Sequence, residues 1–227
     1  MNKLKNCIFI IILFNTLTIF ASPRDLNRIT DMEDSFGYLS DLEREVIDEL
    51  NFARMQPSEY ADYLIAYSEL FVGRELRERG EITVLTREGR SAVNEAIRFL
   101  RNQKPLPYLI ASKGMSKAAE DMVRMQGTTS QIGHKGRDGS SFADRVSRYG
   151  TWEGSCSENI DYGNNNARRI VMALIIDDGV SNRGHRKSIF NPAFKRVGLA
   201  CGQHQRFQYM CVIELAARYS EKQFGSL

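Results

Sequence analysis

Two segments near the C-terminus, "RVGLACG" (196–202) and "YMCVIELA" (209–216), alternate in the manner of strands. The polar "QHQRFQ" between them reads as a hairpin loop, and each strand carries one cysteine. Residues facing each other across an antiparallel pair come within bridging distance, so the pattern predicts a hairpin closed by a Cys201–Cys211 disulfide. A hairpin alone is marginally stable in water and needs something packed on it. The remainder of the chain supplies mostly helical periodicity.

"SDLEREVIDELNFARMQP" opens with Ser40-x-x-Glu43, a capping box, and repeats Leu42, Val46, Leu50 and Ala53 at helical spacing until Pro57. "SEYADYLIAYSEL" predicts a second, shorter helix. "GEITVLTREG" reads as extended, and a helix capped by Thr86 follows, with Ala92, Val93, Ala96, Ile97 and Leu100 on one face. "SKGMSKAAEDMVRMQG" is amphipathic, its Met and Ala stripe being core packing. After a Gly- and Ser-rich turn region come the short helix "SFADRVSRYG", the extended "SENIDYG" and the apolar helix "NARRIVMALIIDDG". Helices surrounding a few strands, the last two paired, give an α+β chain built in layers. The absence of repeats or a Pro/Gly/Ser-rich linker predicts one domain.

The first residues have a different purpose. "MNKLKN" is basic, "CIFIIILFNTLTIF" is apolar but short of the ~20 residues that cross a bilayer, and "ASP" offers a small residue for cleavage. Residues 1–22 are therefore expected to be a signal peptide, 23–39 a flexible segment, 40–218 the domain and 219–227 a polar tail. No later segment is apolar enough to span a membrane, which predicts a secreted or periplasmic protein. Export makes disulfides expected, and with Cys7 in the leader it leaves Cys156 unpaired. The formal charge of +3 falls close to neutral without Lys3 and Lys5, and no basic cluster interleaves with aromatics, so nucleic acid is not an expected partner.

Three histidines are available for chemistry. His204 falls in the polar hairpin loop and is expected to be solvated. His134, in "GHKGRDGSS", and His185, in "RGHRKS", both follow a glycine where the chain must turn tightly. Glu158 opens the "SENIDYG" segment. Asp177 and Asp178 end an apolar helix, where acids oppose the macrodipole, and Arg183 or Arg186 is a ready ion-pair partner for them. If "CSENI" is a strand, Cys156 and Glu158 share a face, a pairing that would suit a thiol nucleophile. Trp152, the one tryptophan, is expected to anchor packing.

Five stretches in order, "NFARMQPSEYADYL", "GHKGRDGSSFADRVSRYG", "SENIDYG", the helix ending in Asp-Asp-Gly, and "GHRKSIFNPAFKRVGLACG", resemble the CAP superfamily of cysteine-rich secretory, antigen 5 and pathogenesis-related proteins, in its secreted prokaryotic-type branch. The resemblance spans about Leu42 to Ala217, with an insertion at about 71–107. It implies a three-layer α-β-α sandwich with a central antiparallel sheet. It also implies a cleft lined by His134, Glu158, Asp177 and His185, with Asp178 the alternative to Asp177 because Asp stands for the commoner Glu and Leu174 for the usual Trp. Two imidazoles and two carboxylates suit a divalent metal such as zinc. The implied role is a binding module for an extracellular lipid, peptide or glycan; the rival reading is a hydrolase using a metal with Glu158 as base, or Cys156 as nucleophile.

Overall fold

The computed structural model of the protein describes residues 37–222. The expected signal peptide and most of the expected flexible segment lie outside these residues. Leu39 is already buried, and helix α1 (Asp41–Met55) starts on the capping box: Ser40 Oγ accepts from the Glu43 N–H while the Glu43 carboxylate accepts from the Ser40 N–H. Helix α2 (Pro57–Ser68) begins on Pro57, whose missing N–H costs nothing in a first turn.

The insertion folds into a small antiparallel sheet, β1 (Phe71–Val72), β2 (Glu75–Leu76) and β3 (Val84–Leu85), followed by helix α3 (Arg90–Asn102). Thr86 does not cap α3, because its hydroxyl donates to Arg74 O at 2.7 Å and the helix starts only after Gly89. The Asp178 carboxylate, about ninety residues away in sequence, accepts from the Arg87 and Glu88 N–H groups at 2.7 Å each. Local spacing could not reveal so distant an acceptor.

The main sheet has strand order β4-β6-β7-β5, with β4 (Ile110–Ala111), β5 (Gly150–Tyr162), β6 (Arg196–His204) and β7 (Gln208–Glu221). The three long strands are antiparallel, and the two-residue β4 adds a parallel edge. Helices α4 (Lys113–Gln126) and α5 (Phe142–Tyr149) cover one face, where Met210, Val212 and Ala216 of β7 meet Met115, Ala118, Ala119 and Met122. Each buried Met or Val here contributes roughly 1.5–3 kcal/mol, and each alanine methyl about 0.8 kcal/mol. A Cβ on Gly198 would lie 2.3 Å from the Met115 backbone carbon, so glycine there lets α4 rest directly on β6. Helices α1, α6 (Ala167–Ile176) and α7 (Gly184–Ile189) take the other face, and the result is the α-β-α sandwich.

Cys201 and Cys211 are directly opposed on β6 and β7 and are bonded to each other. The strand does not stop at Arg218, however. It runs to Glu221, because Tyr219 is buried and its hydroxyl donates to Val146 O at 3.2 Å. The polar tail expected from 219 therefore begins with ordered strand.

Candidate functional site

β5 is an edge strand of the main sheet, and its alternation sends successive side chains to opposite layers. Glu158 points to the α4/α5 side and Asn159 to the α7 side, where its amide donates to His185 O at 3.2 Å. Two histidine–carboxylate pairs form, one from each layer. They come together beside this edge, the His134 and His185 rings lying 6.4 Å apart between centroids.

His134 is carried by the loop between α4 and α5, which turns at Gly133 with φ near +100°. Its Nδ1 lies 2.9 Å from Glu158 Oε1, and the other Glu158 oxygen accepts from the Arg145 guanidinium, with both of those side chains fully enclosed. Arg145 also donates to Ser140 O at 3.1 Å, which fixes the loop to α5. The loop is held again from below. Tyr162 OH accepts from the Gly133 N–H and donates to Gln126 Oε1, while Gln126 Nε2 donates to Gly133 O.

His204 completes that support and is not solvated as its polar neighbours suggested. It is 2% exposed; its Nδ1 accepts from the Arg206 and Phe207 N–H groups, so Nε2 carries the proton given to Gln131 O at 2.9 Å. A turn in which one imidazole satisfies two backbone donors leaves a polar composition but a buried ring. His204 therefore joins the hairpin to the loop that presents His134.

The second pair rests on the end of α6. Asp177 is the C-cap residue in the left-handed region, φ 58°, a conformation that Asp tolerates better than most side chains. That turn aims its carboxylate at His185, taking the backbone N–H at 2.9 Å and Nδ1 at 2.7 Å. The tight turn before His185 is made by Arg183, φ 52°, rather than by Gly184. Arg183 and Arg186 do not neutralise the helix-end acids. They cap carbonyls of the same helix end, Arg183 on Asp177 O and Arg186 on Ile175 O and Ile176 O, and pair with Glu88 and Glu95 at the start and middle of the insertion's helical segment. Asp178 is spent on the Arg87 and Glu88 N–H groups, so Asp177 is the carboxylate at the histidine.

Glu214 had no place in the sequence reading. It is fully buried on β7, directly opposite Glu158, and neither of its oxygens has a donor among the described residues. Burial, and then the Glu158 charge, push its carboxyl well above the usual range. The available signal was a lone acid inside "CVIELAA", an apolar run. A second buried acid, Asp161, accepts from Asn164 Nδ2 and is raised by burial to about 7.

Cys156 does share the Glu158 face, as the period of two requires, but it packs against the cluster of Met115, Val146 and Ala216. Burial, and then Glu214, push its thiol up to about 11, the opposite of what a nucleophile needs. Trp152 packs against the same cluster. His134 is half exposed and His185 a quarter exposed, whereas Glu158 and Asp177 are enclosed, so solvent meets imidazole edges rather than carboxylates. Among the described residues, no three His, Cys, Asp or Glu side chains surround a common point that could hold a metal ion.

The family model for CAP, the cysteine-rich secretory protein family, matches residues 91–215, more than half of the chain. The chain belongs to the CAP family. The matched CAP region contains both histidine–carboxylate pairs and Glu214, and it begins inside α3, so α1, α2 and the β1–β3 sheet fall outside it. Among solved structures, the CAP chain is similar to an outer surface protein from Borrelia burgdorferi, with 18% identity, a TM-score of 0.42, and coverage of 50% of this chain and 80% of that one. It is also similar to an extracellular protein containing an SCP domain from Bacillus anthracis str. Ames, with 15% identity, a TM-score of 0.39, and coverage of 57% of this chain and 38% of that one. No curated protein matches it significantly.

Proposed function

We propose that the protein is a secreted, non-catalytic binding module whose two braced histidines present their outer nitrogens to an extracellular ligand, with a divalent ion such as zinc as the first occupant to test. The observation that carries this reading is the pairing of each Nδ1 with an enclosed carboxylate, His134 with Glu158 and His185 with Asp177. A carboxylate on one ring nitrogen orients the imidazole and raises the basicity of the other, the arrangement that supports metal-bound histidine. Glu158 and Asp177 thus act as braces, and His134 and His185 are the donors toward the ion. Two imidazoles sharing one tetrahedral zinc stand roughly 5 Å apart between centroids, given Zn–N bonds near ~2.0 Å. The observed 6.4 Å asks the rings to approach by about an ångström, which a turn of the half-exposed His134 side chain would supply.

Two further features support export: the basic-apolar-small order of the first residues and the Cys201–Cys211 bond, which suits an oxidising compartment. A thiol hydrolase is disfavoured by the raised Cys156 thiol. Calorimetric titration of the purified protein with zinc is the test. Saturable binding that disappears in the His134→Ala/His185→Ala variant, with the fold retained by circular dichroism, is the expected result. Undiminished zinc uptake by that variant, or none by the wild type, removes the ion from the proposal.

A further inference from the structure

A hollow lies between the insertion and the core, and neither His134 nor His185 lines it. Its volume is about 720 Å³, within the range of ~300–1,000 Å³ typical of small-molecule sites. Its floor is apolar and buried: Phe71 and Leu76 from the small sheet, Val93 from α3, Met172 and Ile176 from α6. At its mouth Ile82 is 84% exposed and Val84 about half exposed, large apolar side chains left facing water. Single exposed hydrophobics are ordinary, but two on the lip of an apolar cavity extend one continuous surface.

The polar groups on this rim are of unequal sign. Glu78, Glu81 and Asp178 carry negative charge and Arg169 alone is positive. Arg169 is already committed to Glu78 and lies over the Tyr67 ring, 4.5 Å from its centroid. Asp178 is held by two backbone N–H groups, which leave its charge uncancelled. The Glu81 carboxylate makes no hydrogen bond or ion pair among the described residues. An anionic head would meet uncompensated carboxylates here; a cationic one would meet Glu81 beside an apolar trough.

We infer that the hollow between the inserted β1–β3 sheet and α6 is a binding site for a small organic cation, an apolar body bearing one ammonium group. The apolar body fills the floor, and the ammonium sits at the rim near Glu81. None of His134, Glu158, Asp177 and His185 lines it, so this site stands whether or not the histidine pair takes an ion, although Tyr162 lines the hollow and also holds the His134 loop.

The test uses the full mature protein and three matched probes below their micelle concentrations: decyltrimethylammonium, decyl sulfate and decyl glucoside. Calorimetry is expected to show one decyltrimethylammonium per chain, bound at least tenfold tighter than decyl sulfate. Ala173→Phe places a ring in the hollow from a half-buried position on α6 and should weaken the cation at least tenfold while leaving zinc titration unchanged. Glu81→Gln, at an exposed position that the fold does not need, should weaken the cation about threefold and leave decyl glucoside unaffected. Equal affinity for cation and anion, non-saturable uptake, or undiminished binding in both variants overturns the inference.

Discussion

Glu158 and Glu214 face each other across β5 and β7 with both carboxyls enclosed, and only Glu158 has protein donors. Glu158 accepts from Arg145 and pairs with His134, whereas burial, and then the Glu158 charge, raise the Glu214 carboxyl, so Glu214 is the member of the pair that favours keeping its proton. Glu214 is thus part of the support beneath His134, although it never reaches the surface.

That proton sets a pH dependence. A carboxyl raised by folding keeps its proton in the native state after the unfolded chain has lost it, so stability falls as pH rises above the ordinary value of 4.5. Asp161, raised to about 7 from 3.8, adds to the same decline. Glu214→Gln keeps the shape and offers an amide donor to Glu158. It is expected to stabilise the protein by about 1–2 kcal/mol at pH 8 and to flatten the decline, as measured by urea unfolding from pH 4.5 to 9. Superimposable wild-type and variant profiles would contradict a Glu214 carboxyl raised by folding.

How much of this was legible in the sequence follows from which residues act locally. The capping box at Ser40, the helix stops and the opposed cysteines depend on neighbours a few residues away, and they lie where spacing puts them. His134, Glu158, Asp177 and His185 were legible through family resemblance, which also implied that they converge. Glu214 and His204 were not. An acid in an apolar strand and a histidine in a polar loop acquire their roles only when β7 lies against β5 and the hairpin turn meets Gln131. Likewise the true acceptor at the start of α3 comes from Asp178, across the tertiary fold.

The ties between insertion and histidine site give the acid side of the stability profile. Arg183 holds Glu88 and Glu95, and its hydrogen bonds lower both carboxyls, Glu88 to about 2 from 4.5. Lowered carboxyls contribute stability that is present above 4.5 and lost as pH falls toward 2. Thermal unfolding between pH 5 and 2 should therefore show a falling midpoint, and Arg183→Ala should make that fall shallower while lowering the midpoint at pH 7. High salt should shrink the difference, since Glu88 and Glu95 are partly exposed. A variant with the same acid slope as the wild type would show that these pairs do not link α3 to α7 energetically.

Cys156 offers a kinetic check on the enclosed layer. With its thiol near 11, about one molecule in ten thousand carries thiolate at pH 7. Iodoacetamide should label the folded protein more than a hundredfold more slowly than the urea-unfolded chain, read by mass spectrometry. Rapid labelling of the folded protein at pH 7 would mean that the α5 layer opens and that a thiol role returns to consideration.

His204 acts on His134 without touching it, and that separation can be measured. Its ring gives a proton to Gln131 O and takes two from the hairpin turn, while it lies edge-on to Tyr162, whose hydroxyl holds Gly133 next to His134. His204→Phe keeps the ring volume and removes all three hydrogen bonds, with an expected cost of about 2 kcal/mol from donors and an acceptor left unpaired. A purely structural loss would leave the folded protein's zinc affinity intact at low temperature. Because Gln131 lies three residues before His134, a loosened loop should instead weaken zinc severalfold where the variant is fully folded by circular dichroism. His204→Asn, which retains a short acceptor for the turn but cannot reach Gln131, should recover part of the stability and none of the affinity. Full zinc affinity in folded His204→Phe would sever the hairpin from the site.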